Sequence, residues 1–178
     1  MKSVDIEKLN RDNFKSMINS LSMPGSVNKI KSLYDSHLLA VANTLLYSEV
    51  SFFYNGNEDI NLIKAITNAK EENVERSDYI FCDEINEYSL SKSKIGTAQD
   101  PEFSSTLIFK CKNFEGLNLR LRGPGINNHK DVSLPVDTAF VDFFNEKNSS
   151  YPLGNEVFFL NKKGEVIALS RTTKVEVL

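Results

Sequence analysis

The segment Glu156-Val-Phe-Phe-Leu-Asn-Lys-Lys-Gly-Glu-Val-Ile-Ala-Leu169 decides the fold class of this chain. It contains two runs rich in strand-forming residues, 156–160 and 165–169, which are joined by a tight turn at Lys163-Gly164. Both runs carry apolar residues at consecutive positions, so both faces of each strand are apolar. Strands of this kind lie in the middle of a sheet that is covered on two sides. The segment therefore predicts two neighbouring strands inside a sheet with other elements packed on both faces.

Four helices are predicted upstream, each from apolar residues that recur every three or four positions. Asn13 caps the first helix and Pro24-Gly25 ends it, Ser36 caps the second, and Asp131 or Ser133 caps the fourth. The second and third helices are predicted over 37–47 and 58–69, and the apolar stripes of the first and fourth extend over 14–21 and 136–143. The inward residues predicted for the last two helices are Ile60, Ile63, Ile66, Val136, Ala139, Phe140 and Phe143.

A β-hairpin is predicted in the middle of the chain. Leu107, Phe109 and Cys111 alternate with Thr106, Ile108, Lys110 and Lys112, and Leu117, Leu119 and Leu121 alternate with Asn118, Arg120 and Arg122. Placing the apolar sets on one face pairs residue 107 with 121, 109 with 119 and 111 with 117. The opposite face would then carry four cations close together, Lys110, Lys112, Arg120 and Arg122. With the interleaved helices and strands, this pattern predicts an α/β fold with a mixed sheet between helical layers, as one domain spanning residues 1–178.

The composition of the chain excludes some partners. Its 178 residues include 21 Lys and Arg against 24 Asp and Glu, which gives a net charge of −3. This balance provides no long-range attraction to nucleic acid or to an anionic membrane, so neither is expected as a partner. The first residues lack the apolar core of a secretory signal, and no apolar run is long enough to cross a bilayer. We expect a soluble cytoplasmic protein.

The cysteines and histidines do not form a metal-binding pattern. Cys82 and Cys111 both lie in apolar strand-like runs, where a free thiol behaves as a small hydrophobe. His37 and His129 have no second ligand at metal-binding spacing. Two thiols and two imidazoles do not supply the usual four ligands of a structural zinc or an iron–sulfur cluster. We therefore predict no metal site, and no catalytic signature is present.

Two segments are candidates for an anion site. The Gly123-Pro-Gly125 turn follows a strand and can cradle phosphate through its N–H groups, although a plain tight turn is the other interpretation. In Arg171-Thr-Thr173 a buried arginine needs a partner, so Arg171 is either a structural anchor or an anion ligand. The cationic face of the predicted hairpin, Lys110, Lys112, Arg120 and Arg122, could also hold a polyanion; the alternative is a solvated face or a face matched to acidic helix residues. The candidate anion-binding residues are Arg120, Arg122, Gly123, Gly125, Arg171, Thr172 and Thr173.

An independent enzyme that uses pyridoxal phosphate is an alternative function. It requires a lysine that forms a Schiff base with the cofactor. Lys92 and Lys94 lie nearest to a loop, but the polar Ser-Lys-Ser-Lys stretch around them offers no burial that would activate either amine.

Nine short motifs occur in one order along nearly the whole chain. The first, Phe14 to Gly25, is an aromatic-led amphipathic helix that ends in Ser-Met-Pro-Gly. The others are Leu38 to Phe53, Ser77 to Phe81, Gly96-Thr-Ala98, Asp100-Pro-Glu102, Ser105 to Ile108, Leu121 to Ile126, Tyr151-Pro-Leu-Gly154 and Arg171 to Glu176. In this order they resemble the PhnH family, a subunit of the bacterial carbon–phosphorus lyase system.

The resemblance implies a three-layer αβα sandwich similar to the pyridoxal-phosphate transferases, but without that cofactor. It also implies a homodimer when isolated and assembly with the other lyase subunits. The associated reaction joins an alkylphosphonate to C1 of the ribose of a nucleoside triphosphate, giving a ribose 1-alkylphosphonate 5-triphosphate. This chain would supply assembly surface rather than independent catalysis; a phosphate- or nucleotide-binding module is the alternative. The candidate docking residues are Phe14, Met17, Ile18 and Leu21, a stripe that packs either on the body of the protein or on a partner.

Overall fold

The computed structural model describes residues 5–178, which form five α-helices and ten β-strands. The helices are α1 (Ile6–Ser22), α2 (His37–Leu45), α3 (Asn61–Thr67), α4 (Glu87–Lys92) and α5 (Thr138–Lys147). The strands are β1 (Asn28–Lys29), β2 (Ser51–Asn55), β3 (Lys70–Glu71), β4 (Tyr79–Cys82), β5 (Thr106–Cys111), β6 (Leu117–Arg122), β7 (Lys130–Leu134), β8 (Glu156–Asn161), β9 (Glu165–Leu169) and β10 (Lys174–Val177). No helix among these residues is long and apolar enough to cross a membrane.

Seven strands form one mixed sheet in the order β1-β9-β8-β5-β4-β2-β3. The strands from β8 to β3 run parallel, whereas β9 is antiparallel to β8 and β1 is antiparallel to β9. The segment 156–169 forms β8 and β9, with Val157 opposite Leu169 and Leu160 opposite Val166. The mixed α/β class is therefore confirmed, while the three-layer sandwich and the likeness to pyridoxal-phosphate transferases stay predictions.

Each face of this sheet has its own hydrophobic core because the central strands are apolar at consecutive positions. Phe52, Phe81 and Ile108 face one core, which they share with α1, α2 and α3. The alternate residues face the second core, which contains α4, α5 and the inner face of a smaller sheet. In this second core the rings of Phe109, Phe140 and Phe159 lie 5.8–6.3 Å apart.

The predicted hairpin between residues 107 and 121 is wrong. β5 lies between β4 and β8 in the large sheet, whereas β6 lies between β10 and β7 in a separate three-stranded antiparallel sheet. The physical reason is the difference between the two apolar patterns. Leu107-Ile-Phe109 is apolar on both faces and suits a central parallel strand, whereas β6 alternates and suits a sheet with one exposed face.

Two predicted helix starts are wrong. Asp5, not Asn13, caps α1, because its side chain accepts a hydrogen bond from the Lys8 backbone N–H. The cap of α5 is Asp137, because residues 130–134 pair with β6 as strand β7 and leave no room for an earlier start. The predicted cap of α2 is confirmed, since Ser36 Oγ accepts from the Leu39 N–H at 3.1 Å.

Two of the predicted inward residues lie at the surface. Ile66 is exposed because a step of three residues turns about 300° around a helix, which places Ile66 about 60° away from the buried Ile63 and off the inner face of α3. Phe143 is also exposed, while Val141 and Phe144 take the inner face of α5. Ile63 and Phe140 are buried, as predicted.

Candidate functional site

Arg171 lies at a junction of loops and hydrogen-bonds to four other residues. Its Nε donates to Glu156 Oε1 at 2.8 Å, and its Nη2 donates to Ser104 Oγ at 2.9 Å. Its Nη1 donates to the carbonyl oxygens of Pro101 and Pro152, each at 3.0 Å. The Arg171 and Glu156 side chains are both only 18% exposed, so this ion pair is largely desolvated. These contacts make Arg171 a structural anchor for the surrounding loops.

The Gly123-Pro-Gly125 turn packs between this junction and α1. Gly123 has φ +140°, and a Cβ on it would lie 2.7 Å from the Thr172 carbonyl oxygen. Gly125 has φ +79°, and a Cβ on it would overlap the Ser22 carbonyl oxygen at the end of α1. Glycine is required at both positions because L-residues rarely adopt these angles and no room exists for a side chain. The turn therefore joins the small sheet, α1 and the loop after β9.

Arg120 and Arg122 each form a cross-strand ion pair on the small sheet. Arg120 binds Asp131 through two hydrogen bonds of 2.8 Å, and Arg122 Nη1 donates to Glu176 Oε1 at 3.1 Å. The hydrogen bond from Arg120 lowers the pKa of Asp131. The predicted cationic patch is wrong, because Lys110 belongs to β5 in the other sheet.

The structure thus brings together some of the candidate anion-binding residues and separates others. Gly123 contacts Thr172, while the hydroxyl oxygens of Thr172 and Thr173 each lie 3.0 Å from Ser170 Oγ. A shallow groove of about 420 Å³ runs beside Arg171, and its lining includes two carboxylates, Glu102 and Glu156. Anion binding by the predicted set stays a prediction.

The apolar stripe predicted for α1 divides between the core and the surface. Met17 is 2% exposed, and Leu21 packs against the core. Phe14 and Ile18 are 49% and 46% exposed. Residues four positions apart are neighbours on one face of a helix, so these two side chains form an apolar strip on the outside of α1. Docking of a partner on this strip stays a prediction.

A cavity of about 850 Å³ opens at the carboxyl ends of the parallel strands. The helix that connects β2 to β3, α3, packs on one face of the sheet, whereas α4, which connects β4 to β5, packs on the other. Neighbouring connections therefore leave the sheet on opposite faces between β2 and β4. In open α/β sheets, ligands bind outside the carboxyl ends of the strands at such a point. This cavity is a second candidate site.

A network of charged and hydroxyl groups lines the inner part of the cavity. Lys110 Nζ donates to Glu58 Oε1 at 2.5 Å and to Asp83 Oδ1 at 3.1 Å. Ser36 Oγ donates to the second oxygen of Glu58. Tyr54 Oη accepts the Glu58 backbone N–H at 2.6 Å. The network joins the end of β2, the end of β4 and the strand β5, so it depends on the parallel order of these strands.

The outer part of the cavity is formed partly by a turn at residues 33–36. Tyr34 and Asp35 have φ of +51° and +59°, left-handed values that only a few per cent of non-glycine residues adopt. Leu33 and Ser36 exchange backbone hydrogen bonds of 2.9 and 3.0 Å, which close the turn. This geometry places the exposed Asp35 beside Ser36, where both line the cavity.

Glu58 and Asp83 were not predicted as site residues, and Lys110 was predicted only as part of a cationic face rather than as the partner of these two carboxylates. A usable signal was present, because Asp83 directly follows β4 and Glu58 comes three residues after the end of β2. Polar residues just after parallel strands meet at one edge of a sheet. Recognising them required knowledge that β2, β4 and β5 are parallel neighbours.

The family motifs that include Pro101, Gly123, Gly125, Pro152 and Arg171 meet at the loop junction described above. In a comparison with protein families, residues 5–176 match the PhnH family, bacterial phosphonate metabolism proteins. The chain belongs to the PhnH family. Membership of PhnH points to a role in phosphonate metabolism, and this bears out the resemblance seen in the sequence. No curated protein matches the chain in sequence.

The remaining candidate groups in this PhnH chain lie apart from the cavity network. Residues 5–178 contain no group of three or more His, Cys, Asp or Glu side chains that could hold a metal ion. Lys94 Nζ pairs with Asp78 at 2.5 Å. Lys147, which no sequence pattern indicated, donates to the Ser93 carbonyl and hydroxyl oxygens, and burial lowers the pKa of its ammonium to about 8.

Proposed function

We propose that this protein is an accessory subunit of a bacterial carbon–phosphorus lyase complex in the cytoplasm. In this proposal it supports the formation of a ribose 1-alkylphosphonate 5-triphosphate from a nucleoside triphosphate and an alkylphosphonate. Its own contribution is shape and assembly surface, without independent catalysis. The observation that carries the proposal is the family match over residues 5–176.

The positions of the family motifs support an architectural role. Arg171 donates its side-chain hydrogen bonds to Glu156, Ser104 and two loop carbonyl oxygens. The glycines of the Gly123-Pro-Gly125 turn allow backbone segments to approach each other closely. These motif residues stabilise the junction of α1, the small sheet and the loop after β9.

The surface of α1 supports the proposed assembly role. Phe14 and Ile18 expose nearly half of their apolar side chains, although α1 contributes Leu9 and Met17 to the core beneath them. Large apolar side chains at the surface are typical of the core of a protein–protein interface. The proposal keeps Phe14 and Ile18 as docking residues and assigns Met17 to the core.

Co-expression with the neighbouring lyase subunits tests this role. We expect the tagged chain to co-purify with them, and Phe14→Glu with Ile18→Glu to abolish co-purification while leaving the circular dichroism spectrum unchanged. Leu62→Glu is the matched control, because Leu62 is 47% exposed on α3 and lies outside the proposed docking strip. Unimpaired co-purification of the α1 double variant would remove the strip from the proposal.

Homodimer formation belongs to the same proposal. Light scattering of the isolated chain at micromolar concentration is expected to give twice the monomer mass of 20.1 kDa. A monomer at that concentration would contradict it.

Binding of a phosphate-bearing ligand beside Arg171 is a second candidate function. The observation that favours it is that Ser170, Arg171 and Thr172 line one groove of about 420 Å³, so two hydroxyl groups and a guanidinium lie beside the same space. Calorimetry with ATP and with methylphosphonate tests it on the wild type and on Thr172→Ala, which spares the anchor. If neither ligand gives a heat of binding, only the assembly role remains in the proposal.

A further inference from the structure

The inner residues of the cavity at the carboxyl ends of the strands carry an unbalanced negative charge. This inner group holds two carboxylates, Glu58 and Asp83, and one ammonium, Lys110. Burial lowers the pKa of Lys110, but its hydrogen bonds to the two carboxylates outweigh burial and the net shift is upward. Burial and the charge of Lys29 lower the pKa of His37, so its imidazole adds no positive charge at neutral pH. The inner group therefore has a net charge of −1.

The outer residues of the cavity do not change this balance. Asp35 and Glu84 are opposed by Lys112 and Lys162, and all four side chains are exposed. Exposed charges are screened by solvent, whereas the inner carboxylates are only 24% and 20% exposed. A concave site with one sign of charge concentrates ligands of the opposite sign. The cavity consequently favours a cation over a phosphonate or a phosphate.

The size and the walls of the cavity indicate an organic cation rather than a metal ion. A volume of about 850 Å³ is much larger than a bare ion needs. Ile85, Cys111 and Pro135, all partly buried, contribute apolar surface beside the charged network. Ligand pockets in proteins combine apolar walls with a few placed polar groups in this way.

We propose that this cavity binds a small aliphatic ammonium compound. The ammonium group donates hydrogen bonds to Glu58 and Asp83, whose oxygens have lone pairs beyond those used by Lys110, Ser36, Tyr54 and the Asn57 backbone N–H. The hydrocarbon part of the ligand lies against Ile85 and Pro135. The ligand brings the positive charge that the inner group lacks. This site is independent of the α1 strip and of the Arg171 junction.

Three probes with the same hydrocarbon chain test the proposal: butylammonium, 1-butanol and butylphosphonate. Each is titrated into the ¹⁵N-labelled full chain, and the backbone amide shifts of Glu58, Asp83, Lys110 and Cys111 are followed by NMR. We expect saturable shifts at these residues with butylammonium and none with 1-butanol. Larger shifts with butylphosphonate than with butylammonium would overturn the charge argument, and no shifts with any probe would overturn the site.

Charge variants sharpen the test because they change affinity in opposite directions. Glu58→Gln brings the inner group to zero and is expected to weaken butylammonium binding roughly tenfold, as expected for one charge at a part-buried site. Lys110→Met brings the group to −2 and is expected to tighten binding. Glu71→Gln is the matched control, because it makes the same charge change in the exposed pair with Lys64.

Two outcomes separate this proposal from the accessory role. Equal binding by wild type and Glu58→Gln, with both proteins folded, would show that the carboxylate is not a contact. Such equal binding would say nothing against co-purification with the lyase subunits. A failure of co-purification would, in turn, leave the NMR titration valid. The two proposals can therefore fail independently.

Discussion

At the scale of single residues, Arg171 and Arg122 show how burial decides what an arginine contributes. Both form ion pairs with a glutamate on a neighbouring strand or loop. The Arg171 and Glu156 side chains are 18% exposed, and the guanidinium of Arg171 donates to three further acceptors. The Arg122 and Glu176 side chains are about half exposed. A buried pair costs much more to break than an exposed one, because one charge is left without a partner in a dry site.

We expect Arg171→Lys to lower the free energy of unfolding by about 2–4 kcal/mol, since a lysine cannot reach the same four acceptors. Arg122→Lys is the control and should cost less than about 1 kcal/mol. Urea denaturation followed by circular dichroism measures both. Equal effects of the two substitutions would show that Arg171 is not the anchor of the junction.

Lys147 supplies a pH dependence at the same scale. Its pKa is about 8 in the folded protein because of burial, against about 10.4 in an unfolded chain. Between these values the unfolded chain binds more protons, so the Lys147 contribution to the free energy of unfolding rises as pH increases from about 8 to about 10. Below pH 8 both states carry the charge and the cost of burying it is present in full.

The prediction is measured as the difference in unfolding free energy between wild type and Lys147→Met at pH 7.5 and at pH 9.5. We expect the free energy of unfolding of the wild type to rise relative to that of the variant at the higher pH. Groups that both proteins share, such as tyrosines, cancel in the difference. A difference that does not change between the two pH values would contradict the lowered pKa.

At the scale of elements, α1 is fixed to the body of the protein by a residue inside the helix. Asn13 is fully buried, and its side chain bonds both backbone groups of Lys31: Nδ2 donates to the carbonyl oxygen at 3.0 Å, and Oδ1 accepts the N–H at 2.8 Å. The side-chain amide of asparagine supplies a donor and an acceptor, which match these two backbone groups at once. The residue that looked like a helix cap in the sequence therefore holds α1 against the segment after β1.

Asn13→Asp distinguishes these two roles. Aspartate is as good a helix cap as asparagine, so a capping role predicts no loss of stability. In the structure the substitution removes the donor to the Lys31 carbonyl and buries a charge, so we expect a loss of about 2–4 kcal/mol. Thermal unfolding at pH 7 gives the answer. Asp5→Asn, at the true cap, should be nearly neutral.

At the scale of the whole molecule, the parallel sheet determines which residues meet. Glu58, Asp83 and Lys110 are separated by 25 and 27 residues in the chain, yet they form one network because β2, β4 and β5 are parallel neighbours with aligned carboxyl ends. In the predicted hairpin Lys110 would instead have joined Arg120 on a cationic face. One change in strand pairing thus replaces a cationic patch by a cavity with an uncompensated carboxylate.

Amide hydrogen exchange tests this strand order. We expect the amides of Leu107 to Phe109 to exchange as slowly as those of Val157 to Phe159, because β5 and β8 are paired central strands covered on both faces. The amides of β6 should exchange faster, since its small sheet has two short edge strands and one open face. If the amides of β5 exchanged at the rate of those of β6, and at a different rate from those of β8, the result would support a hairpin of β5 and β6 instead.

Local sequence chemistry was sufficient for several features of this protein. Consecutive apolar residues in 157–160 and 166–169 determine two buried strands, Ser36 determines the start of α2, and Pro24-Gly25 limits α1. The order of short motifs along the chain identified the family. Each of these features depends on neighbours within a few residues, or on the linear order itself.

Only the tertiary structure decided where β5 and β6 pair, what Asn13 and Arg171 bind, and that Glu58, Asp83 and Lys110 surround one cavity. Alternating apolar residues show which face of a strand is buried, but they do not say which strand lies beside it. The continuous apolar run Leu107-Ile-Phe109 is typical of a strand buried on both faces, but it does not identify β4 and β8 as the neighbours of that strand. The candidate ligand site follows from this long-range pairing because its three charged groups come from three different strand ends.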